Sequence, residues 1–389
     1  MKTVHIITRL IIGGAQENTL HTCEDQHELF DDDVTLITGP ETGPEGSLLE
    51  RARGGGYRVE VVDSLRRSLA PINDRRALSR LKALLKEINP EIVHTHSSKA
   101  GILGRAAARR WRLPCVHGIH GASFHYGQPW LAYRAYVAAE RWAGRRCDHF
   151  ISVCDAMTDA YIEAGVAPRE MFTTVYSGFD VEPFLSPPKP REEIRRQLGF
   201  DDGQVVVATV ARLFPLKGHE SLLSVAPRIV AADPNVRFLW VGDGVLRGEY
   251  TRGIEASGLS DHFRLTGLVP PTRVPELLQA SDIVVHRRQW EGLARVLPQG
   301  LIAGKPVVTY DVGGAREVVQ DGETGFVVPL NDATSLADAV MRLAGDPDLR
   351  RRMGDRGREL YRELFDHRQM TARIREVYAR VRAEHFAGQ

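Results

Sequence analysis

Residues 282–329, DIVVHRRQWEGLARVLPQGLIAGKPVVTYDVGGAREVVQDGETGFVVP, carry the pattern that decides the fold. Three short β-branched runs, DIVVH from Asp282, PVVTY from Pro306 and GFVVP from Gly325, are separated by turns and helix-forming segments. Strands that alternate with helices imply βαβ units, and hence a mostly parallel sheet covered on both faces. The same rhythm extends back through FRLTG from Phe263, VRFLWVGDG from Val236 and VVVATVAR from Val205. It also fills the first half, with VHIIT from Val4, VTLIT from Val34, RVEVV from Arg58, EIVHTH from Glu91, HFISV from His149 and TTVY from Thr173. Amphipathic stretches lie between these runs: over Asn73–Ile88, Leu78, Leu81, Leu85 and Ile88 recur at helical spacing.

The rhythm pauses at FLSPPKPREE, residues 184–193. Three prolines in four residues cannot continue a helix or sit in a central strand, so this stretch reads as a linker. The expected architecture is α/β, with two doubly wound parallel-sheet domains over residues 1–183 and 194–365. A charged amphipathic stretch, Arg358–Glu384, closes the chain. Ligands of such sheets bind beyond the carboxyl ends of the strands, so two facing domains place the expected site in a central cleft.

Bulk properties narrow the function. A chain of 389 residues suits two cores better than one. A formal net charge of +1 excludes a general nucleic-acid binder, which needs a large basic excess. Cys23, Cys115, Cys147 and Cys154 have no metal-ligand spacing and are expected to be reduced thiols. The apolar residues near the N-terminus are interrupted by His5, Thr8 and Arg9, unlike a secretion signal. No run approaches the roughly 18 apolar residues of a membrane span. A cytoplasmic protein is expected, with a peripheral position at the inner face of the membrane as the variant.

Four places could carry chemistry. Gly13-Gly14 follows the first strand and opens a helix, where backbone N–H groups attract anions, although a simple tight turn would look the same. Arg212 ends the first strand of the second half, and Lys217 follows five residues later before a helix. Two cations there suit a pyrophosphate, whereas surface cations are ordinarily only solvated. Glu291 sits between a strand and a helix starting near Ala294, with the amides of Gly292, Leu293 and Ala294 aligned on the helix axis. Gln299 lies eight residues on, roughly 12 Å along that helix by its rise per residue. That separation suits two ends of one extended ligand. The plainer alternative makes Glu291 a capping carboxylate and Gln299 an exposed helix residue.

Among the histidines, His94 and His117 fall mid-strand and are expected in the core with backbone partners. His96, His120 and His125 fall at or after carboxyl ends, facing the expected cleft. They lack HExxH or similar ligand spacing, so no metal site is expected. Residues 123–147 combine Trp130, Tyr133, Tyr136 and Trp142 with Arg134, Arg141, Arg145 and Arg146. Such a helix could meet a membrane interface or a lipid-linked acceptor, but near-neutral overall charge favours aromatics packed on the first sheet.

Taken in order, the Gly-Gly loop, VHTHSSKAGILGR from Val93, VARLFPLKGH from Val210 and the stretch from Gln289 to Pro329 resemble family 4 of the retaining GT-B glycosyltransferases over nearly the whole chain. The resemblance implies that Arg212 and Lys217 clamp the donor diphosphate and that Glu291 contacts the transferred sugar. It also implies that His120 lies near the sugar and the acceptor, and that the terminal helix, 366–389, packs back on the first domain. Gln299 departs from the family, whose members mostly carry Glu there against the donor ribose. Gln offers one acceptor and an NH₂ donor, so the ribose contact survives without its charge. Ser177 stands where relatives often have Asn. The implied activity is a metal-independent, retaining glycosyltransferase without cofactor. It would move sugar from a nucleotide sugar, UDP-linked in the first instance and GDP-linked in the second, to a hydroxyl of a glycan or lipid-linked acceptor. A GT-B epimerase or phosphorylase, or an inactive scaffold that binds nucleotide sugar or glycan, are the rival readings.

Overall fold

The computed structural model describes residues 1–40, 43, 46–125 and 127–387. Tyr126, within the aromatic segment, and residues 388–389 of the expected terminal helix lie outside the described residues. The chain forms two compact units, one of residues 1–179 and 365–389, the other of residues 180–364.

The first unit holds a seven-stranded parallel sheet of β1 (Lys2–Ile6), β2 (Asp33–Thr38), β3 (Arg58–Val61), β4 (Ile92–His96), β5 (Cys115–Ile119), β6 (His149–Ser152) and β7 (Phe172–Thr174), in the order β3-β2-β1-β4-β5-β6-β7. Alternation along the strands divides its faces. Val4, Ile6 and Val93 face Leu81, Leu84 and Leu85 of the helix Pro71–Ile88. Ile92, Val116, Ile151 and Val175 face Ile374, Val377 and Val381 of the terminal helix His367–Ala387. That helix is also fastened by polar contacts: His367 Nδ1 and Thr371 Oγ1 reach the Asp25 carboxylate at 2.9 and 2.7 Å, and Arg375 pairs with Asp32 at 2.8 Å.

The second unit holds β8 (Val205–Val210), β9 (Val236–Val241), β10 (Phe263–Gly267), β11 (Ile283–His286), β12 (Val307–Tyr310) and β13 (Gly325–Val328), all parallel, in the order β10-β9-β8-β11-β12-β13. Trp240, Phe238, Val207 and Val285 centre its core against Leu222, Ile229, Leu336 and Val340.

Three expectations need correction. The proline-rich stretch 184–193 lies wholly within the second unit rather than between domains. Arg191 holds it there, donating to the carbonyls of Gln279 and Ser281 at 2.5 and 2.6 Å and pairing with Asp282 at 2.7 Å. Its prolines lead into the helix Arg191–Leu198. The stretch Arg358–Glu384 is not one helix. Helix Pro347–Tyr361 ends, and Phe365, fully buried, accepts from the Phe179 amide at 2.9 Å before His367–Ala387 begins. Finally, the aromatic helix Trp130–Gly144 turns Val137, Glu140 and Ala143 inward, not its tryptophans. Trp130, Tyr136 and Trp142 stay exposed, with Arg134 and Arg146 over the two indole rings at 4.9 and 3.8 Å. The inward position is claimed instead by Glu140, buried against Arg105 at 2.7 Å. Among the described residues, no helix is long and apolar enough to cross a membrane.

Candidate functional site

In the second unit the strand order reverses between β8 and β11, so the loops leaving these neighbours open side by side. Such a switch point is where doubly wound sheets bind ligands. The loop after β8 carries Arg212 and Lys217, and the loop after β11 carries Arg288 and Glu291. Arg212 is exposed, with its guanidinium over the Phe214 ring at 4.9 Å. Leu216 is held at φ 65, a strained setting for a branched side chain, directly before Lys217.

Lys217 is half-buried, and its side-chain amine has no hydrogen-bond or ion-pair partner among the described residues. Burial pushes its amine down to about 8, Arg288 and Arg212 push the same way, and Glu291 opposes them. Four charged groups therefore act on one another here. Arg288 is also ion-paired with Glu291. Lys217 was a site candidate from sequence; Arg288 was not. Its signal was the Arg287-Arg288 pair directly after a buried strand. The two part company in space: Arg287 is buried against Thr209 Oγ1 at 3.1 Å, while Arg288 joins Lys217 and Glu291.

A pH dependence follows. The protonated Lys217 attracts a diphosphate, so affinity in the free protein should be level below the amine's pKa of about 8 and fall as pH rises through it. Calorimetric titration of a nucleoside diphosphate from pH ~7 to ~9.5 reads this, and constant affinity across the range would remove Lys217 from the binding groups.

The Glu291 loop is shaped by the turn after β12. Gly313 sits at φ +55, and a Cβ there would stand 2.2 Å from the Glu291 carbonyl oxygen, so only glycine fits. Gly314 N–H donates to the Gly292 carbonyl at 2.8 Å. The amides of Gly292, Leu293 and Ala294 donate to no protein acceptor among the described residues. They lie in irregular chain, because the helix begins only at Val296 and ends at Ile302. The expected helix start near Ala294 and the 12 Å helical spacing are therefore corrected. Gln299 is three residues into a seven-residue helix, half-buried, with its side-chain amide making no hydrogen bond among the described residues.

In the first unit Gly13 has extended backbone, φ 176, which any residue adopts, and Gly14 opens the helix Gly14–Phe30. A Cβ on Gly13 would meet only the mobile end of Gln16, so local geometry does not require glycine there. Ser177 is buried and accepts from Asn18 Nδ2 at 2.9 Å. His120 follows β5, half-buried, with burial holding its pKa at about 4, so it is neutral at pH 7. His96 is fully buried rather than facing outward, because both ring nitrogens are engaged, with His5 at 3.1 Å and His120 at 3.0 Å. His94 and His117 are core residues; His94 meets a side chain, Tyr378 Oη at 2.5 Å, rather than backbone, and His117 meets Thr95 through Oγ1 at 2.9 Å and through the Thr95 backbone. His5, His94 and His96 bring ligand-capable nitrogens within 4.8 Å of one another. His5 was missed at the sequence level, although it occupies the same strand face as His94 and His96.

The family model for glycosyl transferases group 1 matches residues 190–360, and that for the glycosyl transferase 4-like domain matches residues 13–176. The chain is 29% identical over 350 residues to the Escherichia coli UDP-Gal:alpha-D-GlcNAc-diphosphoundecaprenol alpha-1,3-galactosyltransferase, covering 89% of this chain and 88% of the relative. It is 28% identical over 397 residues to alpha-maltose-1-phosphate synthase of Mycolicibacterium smegmatis, covering 96% and 97%. Among solved structures, Anabaena Alr3699/HepE in complex with UDP superposes with a TM-score of 0.83 at 22% identity, over 97% of this chain and all of the other.

Proposed function

Since the chain belongs to the group 1 glycosyl transferases, has the GT-B fold and transfers sugar from a nucleotide-sugar donor, we propose that it does so without a metal ion, with retention at the anomeric carbon, from a UDP-sugar. The observation that carries this reading is the charge cluster at the β8/β11 switch point. When the anomeric C–O bond breaks, its electron pair stays on the departing diphosphate. Arg212 and Lys217 supply fixed positive charge for that oxygen, in a partly dehydrated place where each charge acts more strongly than in water. The unpaired amides of Gly292, Leu293 and Ala294 add donors for the remaining phosphate oxygens. Glu291, whose backbone packs closely on Gly313, takes the sugar end, and Gln299 the ribose.

A UDP-linked donor is supported by the Escherichia coli relative, whose name specifies UDP-Gal and an α product. An α product from an α-linked sugar nucleotide is retention. The same name specifies a diphosphoundecaprenol acceptor, which supports a glycan or lipid-linked hydroxyl as acceptor; the exposed Trp130–Trp142 face with its arginines supports a peripheral membrane position. Incubating the protein with labelled nucleotide sugars and acceptor, with and without EDTA, tests the whole reading. Transfer or slow hydrolysis that survives chelation, giving an α product by NMR, is expected. Loss of turnover on chelation with rescue by manganese overturns the metal-free clamp, and a β product overturns retention.

Gln299 offers a finer test. Its side-chain amide, without a protein partner, is available to the ribose hydroxyls as donor and acceptor. Gln299→Leu should weaken donor affinity by about two- to tenfold, the value of one neutral hydrogen bond. Gln299→Glu should tighten it by up to about tenfold, because a charged acceptor bonds more strongly. Affinities measured with ribose and 2′-deoxyribose donors locate the contact. Equal binding of both donors by wild type and Gln299→Leu removes Gln299 from the ribose.

A further inference from the structure

The first sheet hides a line of imidazoles that ends at His120. His5 on β1 and His94 and His96 on β4 alternate with Val4, Ile6 and Val93, so the pleat puts the apolar side chains on one face and the rings on the other. All three rings are buried. His5 Nε2 meets Gln26 Oε1 at 3.0 Å, His5 Nδ1 meets His96 Nε2 at 3.1 Å, and His96 Nδ1 meets His120 Nε2 at 3.0 Å. Gly118 lies beside the outer end. A Cβ there would stand 3.0 Å from His94 Nε2 and His96 Nδ1 and 3.2 Å from His120 Nε2, so its absence leaves room for the rings to meet.

Burial holds His5 and His120 at about 4 and His96 well below its ordinary value, so the whole line is neutral at pH 7. A neutral imidazole has one donor nitrogen and one acceptor nitrogen. The Gln26 amide oxygen, which also receives Thr3 Oγ1 at 3.1 Å, can only accept. His5 therefore donates from Nε2 and accepts at Nδ1. His96 then donates from Nε2 and accepts at Nδ1, which requires the His120 proton on Nε2. His120 Nδ1 keeps its lone pair and makes no hydrogen bond among the described residues.

We propose that His5 and His96 are positioning residues that hold His120 in its Nε2–H tautomer, so that Nδ1 is presented solely as an acceptor for a sugar hydroxyl. The tautomer rests on these contacts, on the neutrality of the buried rings and on the Gln26 oxygen facing His5; the hydroxyl rests on the reading of His120 as a residue that meets the transferred sugar or the acceptor. The device works by subtraction. A ring free to exchange tautomers would spend part of its time with Nδ1–H, which repels a hydroxyl proton instead of receiving it.

Nitrogen-resolved NMR of the whole protein at neutral pH, with His120→Gln to assign the ring, reads the tautomer directly. The proton is expected on Nε2; a proton on Nδ1 overturns the proposal. His96→Phe, which removes the acceptor at similar bulk, should release a mixture of tautomers. It should also lower kcat by about two- to tenfold, with less change in KM, since one neutral hydrogen bond is at stake. His96→Gln, which restores an acceptor and a donor, should recover much of the loss. An unchanged tautomer and kcat in His96→Phe overturn the positioning role. Wild-type turnover in His120→Ala would overturn the sugar-hydroxyl contact while the tautomer line stood.

Discussion

Lys217→Ala, and separately Arg212→Ala, are expected to lower transfer by about two to three orders of magnitude while leaving the fold and its melting temperature nearly unchanged. Removing one preorganised group that faces developing negative charge typically costs about 10²–10³ in kcat. Arg212 is exposed, and the Lys217 amine has no hydrogen-bond or ion-pair partner among the described residues, so neither substitution opens a core. The leading cause of the lowered Lys217 pKa is dehydration. A dehydrated ammonium without a carboxylate of its own is costly in the empty protein, and an incoming diphosphate repays that cost. Because both cations would act on one leaving group, the double variant should lose less than the product of the two single losses. Arg288→Ala should cost less than either, since its charge is already committed to Glu291. Near-normal turnover in Lys217→Ala, at any pH below the amine's pKa, would make the clamp assignment wrong.

Much of this was legible in the chain because local rules sufficed. Each quoted β-branched run overlaps a strand, and the helix over Asn73–Ile88 differs only in starting at Pro71, where a proline is suited to the first turn. The loops after β8 and β11 stood out by composition, and parallel order then brought them together. What was not legible depends on partners distant in sequence. Period-two alternation says that His5 and His94 share a face with nothing to say of Gln26, His120 or Tyr378, which come from other elements. The helix Trp130–Gly144 was misread for the same reason. Its inward stripe is set by Arg105 on a neighbouring helix, whose buried charge needs Glu140, and this pairing displaces the larger aromatics outward. The start at Val296 was obscured because Gly292 and the residues after it are shaped by Gly313 and Gly314, some twenty residues away.

Glu291→Gln is expected to separate sugar recognition from diphosphate binding. A carboxylate hydrogen-bonded to a sugar hydroxyl contributes about 1.5–3 kcal/mol and its neutral isostere about 0.5–1.5, so the exchange should lower turnover by up to about tenfold. The bare nucleoside diphosphate lacks that sugar and behaves differently. Glu291 is a negative charge beside the clamp, and it neutralises Arg288. Its removal frees Arg288 and ends the repulsion of the incoming phosphates, which favours tighter binding. Against this, Glu291 is the group that raises the Lys217 pKa, so without it the amine loses its proton at a lower pH than about 8. At pH ~6.5 Lys217 stays charged in both proteins, and Glu291→Gln should bind the diphosphate as tightly as wild type or more tightly. Toward pH ~8.5 the order should reverse, because the variant's amine is neutral first. Calorimetry of the diphosphate at both pH values, beside transfer kinetics, reads the crossing. A variant that failed to bind diphosphate at the lower pH would place Glu291 in the phosphate site or in the framework of the loop. Impaired turnover with intact or tightened diphosphate binding would leave the sugar as the one part of the donor that the carboxylate serves.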